Sequence, residues 1–254
     1  MDRAGAIAAF DAYVSAYDAE NPMIRLKIDH TCRVAAIAER IAGSLSPEVS
    51  ADFAWLLGLL HDIGRFEQAR RYATFLDQRS VDHAEFGADL LFREGLVDRF
   101  PAEGLPEDWR RTAETAIRLH NKLTLPGDLD PATRTYSQVL RDADKVDIFR
   151  VSAESSAVDR IGPGVVLEMS DVISPGVLAC VREHRCVPRG VRRNALDIRV
   201  SHCCMAFELV YDESRRIAAE QGWLDRLLCP PDDENAARQL EMVRREIERA
   251  WGTC

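Results

Sequence analysis

Leu57-Gly58-Leu59-Leu60-His61-Asp62-Ile63-Gly64-Arg65 is the stretch on which the reading of this chain turns. The run leading into it, Ala51 to Leu60, is almost wholly apolar and predicts a helix buried on most of its sides. That helix ends in a His-Asp pair. Burying such a pair costs several kcal/mol, on the order of a domain's whole stability, unless a partner or a metal ion compensates it. The chain has only six histidines, His30, His61, His83, His120, His184 and His202, and the first four fall on or at the ends of predicted helices. Asp142-Ala143-Asp144-Lys145-Val146-Asp147 adds a cluster of carboxylates. Histidine and carboxylate are the usual ligands of catalytic divalent metals. Ligands this far apart would have to converge from separate helices. An isolated histidine at a helix end is ordinarily a cap or a hydrogen-bonded core residue. The residues alone therefore support a candidate divalent-metal site and nothing narrower.

Outward from that stretch the chain reads as helical nearly throughout. Helices are expected over residues 5–18, from Asn21-Pro22 to Gly43, over 51–60, from His83 to about Phe92, over 109–120 and over 136–152. Gly95, Pro101, Gly104 and Pro106 mark a loop. Beyond residue 152, a short strand or hairpin is allowed between 161 and 190, then one long helix from Leu196 to Gln221, then an amphipathic helix from Gln239 to Trp251. The expected fold is all-α: a helical core over about residues 20–150, preceded by one helix and followed by a helical extension over about 151–254, read as a single domain.

Composition narrows the function classes. The 254 residues carry 33 Lys and Arg against 42 Asp and Glu, a formal net charge of -9, which argues against a binder of long nucleic acid. A local cationic pocket for a small phosphorylated substrate remains compatible with an acidic protein. No run of 18 apolar residues is present and the N-terminus lacks a signal-peptide pattern, so a cytoplasmic protein that does not span a membrane is expected. The seven cysteines are odd in number and include no CxxC, which reads as reduced thiols. Cys180, His184, Cys186, His202, Cys203 and Cys204 could be drawn as a zinc site, but without a CxxC pair they read as buried or half-exposed thiols and structural histidines.

His30, the Leu57–Arg65 stretch with its His61-Asp62, and Ala143-Asp144-Lys145 together resemble the HD-domain superfamily, whose signature is H…HD…D on an all-helical fold. The resemblance covers about residues 23–150. It implies that His30, His61, Asp62 and Asp144 bind a divalent metal. Asp144 is preferred because it alone has the Ala-Asp-Lys-Val context, while Asp142 and Asp147 are expected to be solvated or to sit behind the ligands. His83 and His120 resemble the extra histidines of the dinuclear branch, in which Asp62 would bridge two ions. The cofactor implied is one or two divalent cations: Mn, Fe, Ni, Co, Mg or Zn.

The activity implied is metal-dependent hydrolysis of a small phosphate ester, most simply a nucleotide, by activated water. No GxSxG elbow, P-loop or GxGxxG stands against it. Arg65 is a candidate catalytic cation for a phosphate oxygen, beside Asp62, and Lys27, Arg118 and Lys145 are further candidates for substrate binding. Asn121-Lys122-Leu123 after His120 departs from the Gly-Tyr-Pro stretch of HD-GYP cyclic dinucleotide phosphodiesterases. Two alternatives share the ligand order: a mixed-valent di-iron oxygenase, similar in this respect to myo-inositol oxygenase, and a non-catalytic nucleotide sensor.

Overall fold

The computed structural model describes residues 1–100, 104–156, 169–230 and 232–252, and among these every regular element is helical. The chain divides into two compact units, Met1–Asp144 with Ser156–Gly164, and Lys145–Ser155 with Val165–Cys254. Among the described residues no helix is long and apolar enough to cross a membrane.

The first unit begins with α1 (Arg3–Val14) and α2 (Pro22–Gly43). Asn21 caps α2 by accepting from Met23 N at 2.9 Å, and Pro22 sits in the first turn, where its missing N–H costs nothing. The apolar stripe Ile24, Val34, Ile37, Ala38 and Ile41 is buried. α3 (Ala51–Leu60) follows its Ser50 cap, and every residue from Phe53 to Leu60 is buried, as its unbroken apolar run requires. α4 (Ile63–Tyr72) leaves at once from Asp62 and ends at Ala73, a left-handed residue with φ 49°. Phe66 on α4 meets Phe10 of α1 edge to face, with ring centroids 5.9 Å apart.

α5 (His83–Ala88) is capped by Asp82, which accepts from Ala84 N and Glu85 N. It lies so close to α4 that a Cβ on Gly64 would fall 2.6 Å from the His83 carbonyl oxygen and 2.7 Å from Gly87 N. The glycine after the His-Asp-Ile sequence is thus a packing requirement. α6 (Glu107–Leu119) and α7 (Pro131–Glu154) complete this part of the chain, and the boundary between the units falls inside α7.

The second unit contains α8 (Pro175–Arg182), α9 (Ala195–Cys203), α10 (Asp212–Gln221), α11 (Trp223–Leu227) and α12 (Glu234–Trp251). Buried Asp197 organises its start, accepting from Ser174 N at 2.8 Å, Ser174 Oγ at 2.7 Å and Arg193 N at 2.7 Å.

Two expectations need correction here. The long helix over 196–221 is interrupted by a 3₁₀ turn, Cys204–Glu208, and an extended step before α10. The interruption is stable because side chains take the freed carbonyls: Trp251 Nε1 donates to Ala206 O at 2.9 Å and Arg215 Nη2 to Leu209 O at 2.8 Å. The strand or hairpin allowed between 161 and 190 is replaced over 175–182 by α8, whereas 161–168 lie outside the described residues.

The thiol and histidine cluster is also placed. Cys180, Cys203 and Cys204 are buried free thiols. His184 Nε2 donates to Glu246 Oε2, 2.8 Å away, and the ring stacks on Phe207.

Candidate metal centre

His30 lies within α2, His61 is the C-cap of α3, Asp62 follows it, His83 is the first residue of α5, His120 is the C-cap of α6 and Asp144 lies on α7. All six converge inside the first unit. Their ligand atoms form three overlapping triads, each within 4.8 Å: His30, His61 and Asp62; His61, His120 and Asp144; Asp62, His83 and His120. Asp62 stands between two histidine pairs. Its Oδ2 is 3.5 Å from both His30 Nε2 and His61 Nε2, and its Oδ1 is 3.6 Å from His83 Nε2 and 3.8 Å from His120 Nε2. Asp144 Oδ1 closes the first pair at 3.2 Å from His30 Nε2 and 3.8 Å from His61 Nε2.

The other ring nitrogens explain why these atoms face inward as acceptors. His61 Nδ1 is 2.7 Å from the Gly58 carbonyl, and His120 Nδ1 is 2.7 Å from the Ile117 carbonyl. A carbonyl only accepts, so each Nδ1 carries the proton and each Nε2 of the neutral ring is a bare lone pair. His83 Nδ1 is likewise bound, at 2.8 Å, to the Asp77 carboxylate. The Nε2 atoms of His83 and His120 then face each other at 3.0 Å. Two bare lone pairs at that distance need a shared proton or a shared cation between them. Nitrogens held about 2.0–2.1 Å from one cation at a right angle stand about 3 Å apart. His61 Nε2 and Asp62 Oδ1 are buried and have no hydrogen-bond partner, although a buried polar atom ordinarily has one. Both donor chemistry and spacing fit divalent cations on either side of Asp62.

Electrostatics agree. Burial opposes the charge on Asp62, but the Lys27 ammonium, with the Arg65 guanidinium, outweighs it and holds the carboxyl well below the usual range. Burial likewise opposes charge on Asp144, and His30, with its Nε2 3.2 Å away, holds the carboxyl down. Burial lowers the His61 imidazole to about 4 and, with Arg65 beside it, His83 to about 3. Both rings stay neutral and available as ligands at pH 7.

A stability prediction follows. Unfolded imidazoles titrate near about 6.5. Between there and about 4 the unfolded chain binds a proton that folded His61 refuses, so stability falls as pH drops through this window. With chelator present, the urea midpoint is expected to be lower at pH 4.5 than at pH 7, and the gap should shrink in His61→Gln. An undiminished gap in that variant would contradict a neutral His61.

The cations near the centre divide. Lys27 Nζ is 2.6 Å from Asp62 Oδ2 and lies over the Phe75 ring. Arg65 is buried; its Nη1 donates to Gln68 Oε1 at 2.7 Å, Phe75 O at 2.8 Å and Asp77 Oδ1 at 3.0 Å, while its Nε is 3.7 Å from Asp62 Oδ1. Arg118 is shared by three carboxylates, Glu85, Glu114 and Asp89, at 2.7–2.8 Å, and so ties α5 to α6. Lys145 belongs to the second unit, with Nζ 3.5 Å from Glu208. Asp142 and Asp147, for which solvation was one expectation, are buried; Gln138 Nε2 donates to Asp142 at 2.8 Å.

Two supporting residues carry no motif. Asp77, in the 3₁₀ turn Asp77–Arg79, holds His83. Arg141 donates to the carbonyls of Leu119 at 3.2 Å, Leu123 at 3.0 Å and Lys122, fixing the end of α6 where His120 sits.

Residues 28–148 match the family model described as HD domain, a span that includes all six converging residues. No curated protein and no solved structure matches the chain.

Proposed function

We propose that the chain, whose residues 28–148 match the HD-domain family model, is a metal-dependent phosphohydrolase acting on a small phosphate ester, a nucleotide, at the six-residue centre. The observation that carries this reading is the inward convergence of imidazole Nε2 atoms on the two oxygens of Asp62. His30, His61, Asp62 and Asp144 would hold one cation, and Asp62, His83 and His120 a second. Cations bound there lower the pKa of water and offset negative charge growing on the phosphoryl oxygens.

The chain's own residues supply positioning and selectivity. The four histidines are almost fully covered, whereas the side chains of Lys27 and Asp144 remain 14% and 15% exposed. Substrate approach is assigned to that side. Lys27 places an ammonium at the rim, where it can pair with a phosphate oxygen, and the Phe75 ring beneath it limits its swing. Arg65 is oriented by three acceptors on one nitrogen and contributes positive potential beside Asp62 rather than a free fork for bidentate grip. The narrow exposure favours a small ester over a polymer, in keeping with the acidic net charge.

The test is turnover of nucleoside monophosphates and cyclic nucleotides after chelation and reloading with Mn, Co, Ni, Mg, Zn or Fe(II), with dioxygen excluded. Phosphate-ester cleavage that requires a divalent ion and proceeds anaerobically is expected. Turnover that consumes dioxygen and stops without it would replace this reading with an oxygenase. Nucleotide binding with no turnover under any metal would replace it with a sensor.

A further inference from the structure

Asp77 lies outside every motif discussed, yet its carboxylate is divided between two jobs. Oδ2 accepts from His83 Nδ1 at 2.8 Å. Oδ1 receives Arg65 Nη1 at 3.0 Å and Gln68 Nε2 at 3.1 Å. The Gln68 amide is itself oriented: its Nε2 also donates to the Val81 carbonyl at 3.0 Å, and its Oε1 accepts from Arg65 at 2.7 Å. The Arg65 and Gln68 groups aimed at Oδ1 are donors, and neither can turn to become an acceptor without losing other bonds.

We propose that Asp77 is a positioning residue that locks His83 in the tautomer with its proton on Nδ1, leaving Nε2 bare toward Asp62 and His120, and that Arg65 and Gln68 serve it by fixing the carboxylate. The inference rests on the two-cation reading above. An acceptor placed on the far nitrogen of a ligating histidine orients the ring and raises its basicity, and removing such a group costs about 10–100-fold in metal affinity.

The geometry makes an unusual demand on substitutions. In Asp77→Asn, the amide oxygen must stay where Arg65 and Gln68 donate, because an NH2 there would oppose two donors. The NH2 is then turned to His83 Nδ1, which must accept. The ring proton moves to Nε2, the atom meant for the cation. In the metal-free protein that Nε2–H can donate to His120 Nε2, 3.0 Å away, so the variant keeps a bonded core. Asp77→Ala removes the constraint altogether and lets His83 choose either tautomer. A role confined to structure predicts that alanine is the worse substitution in every measurement. A tautomer lock predicts a reversal: asparagine is the more stable variant and the poorer binder of the second cation.

The experiment is Mn2+ titration of the chelated 254-residue chain, wild type beside Asp77→Asn, Asp77→Ala and His83→Ala, with thermal melting of each metal-free form and 15N NMR of the His83 ring. The expected result is two Mn2+ in wild type. The weaker-held ion should lose about 10–100-fold in affinity in Asp77→Asn and less in Asp77→Ala, with the other ion unchanged. The NMR signature of His83 should pass from Nδ1–H to Nε2–H in Asp77→Asn. Wild-type affinity for both ions in Asp77→Asn, with Nδ1–H retained, overturns the tautomer lock alone. One Mn2+ in wild type, unchanged in His83→Ala, overturns the lock and the two-cation reading together.

Discussion

Asp62→Ala is expected to abolish metal-dependent hydrolysis and to empty both halves of the centre at once. Each carboxylate oxygen faces a different histidine pair, so Asp62 supports both halves with one side chain. Loss of both cations removes water activation and charge neutralisation together. A fall of at least about 10³-fold, roughly 4 kcal/mol of transition-state stabilisation, is the expected scale. The fold should suffer as well. Lys27 is mostly buried and its ammonium is 2.6 Å from Asp62 Oδ2. Breaking a buried ion pair by deleting one partner costs about 3–5 kcal/mol, chiefly because the other charge is left uncompensated. Adding Lys27→Met to Asp62→Ala should therefore recover much of the stability and none of the metal. Metal content by mass spectrometry, phosphate release and urea midpoints read the three effects separately. Retention of two cations by Asp62→Ala, or activity within tenfold of wild type, would remove Asp62 from the bridging position.

Gly58→Ala is expected to destabilise the fold strongly through the addition of a single methyl. A Cβ at this position would lie 2.5 Å from Ala35 Cα, 2.7 Å from Ala35 N and 3.0 Å from Val34 C. All three are backbone atoms in the middle of α2, so no side chain can swing aside and the helices themselves must separate. Overpacking of this kind costs about 1–3 kcal/mol or more. At about 2–4 °C per kcal/mol for a chain of this size, that is a fall of roughly 2–12 °C in melting temperature. The consequence reaches the metal centre, because the Gly58 carbonyl accepts from His61 Nδ1 and the displaced helix carries His30. The cation assigned to His30 and His61 should bind more weakly. Gly43→Ala, at the end of the same helix with nothing within 4 Å of the new Cβ, is the control and should melt near wild type. A Gly58→Ala protein melting within 1 °C of the control would contradict the close approach of α2 and α3.

The sequence alone located most of the helices, and the reasons are local. Asn21-Pro22 starts α2 through a cap and a favourable first-turn proline, and the apolar run from Phe53 to Leu60 has no polar face to present to water. The residues alone supported a candidate divalent-metal site, because a His-Asp pair closing an apolar helix needs compensation, and the six converging residues were named only through the resemblance to the HD-domain superfamily.

Other features depended on atoms distant in the chain. The break at Cys204–Glu208 is held partly by Trp251, 45 residues beyond the carbonyl it satisfies. The burial of Asp142 and Asp147 inside a charged run follows from which face of α7 is covered, not from their hydropathy. Asp77 sits in a short 3₁₀ turn with no periodicity to mark it, and nothing local sets it against Arg65, 12 residues away, and His83 at once. Helix starts and apolar faces are written in backbone hydrogen bonding and side-chain spacing over a few residues, so one sequence suffices to read them. The proton positions of the ligating rings depend on partners set by tertiary packing, and only the folded chain decided them.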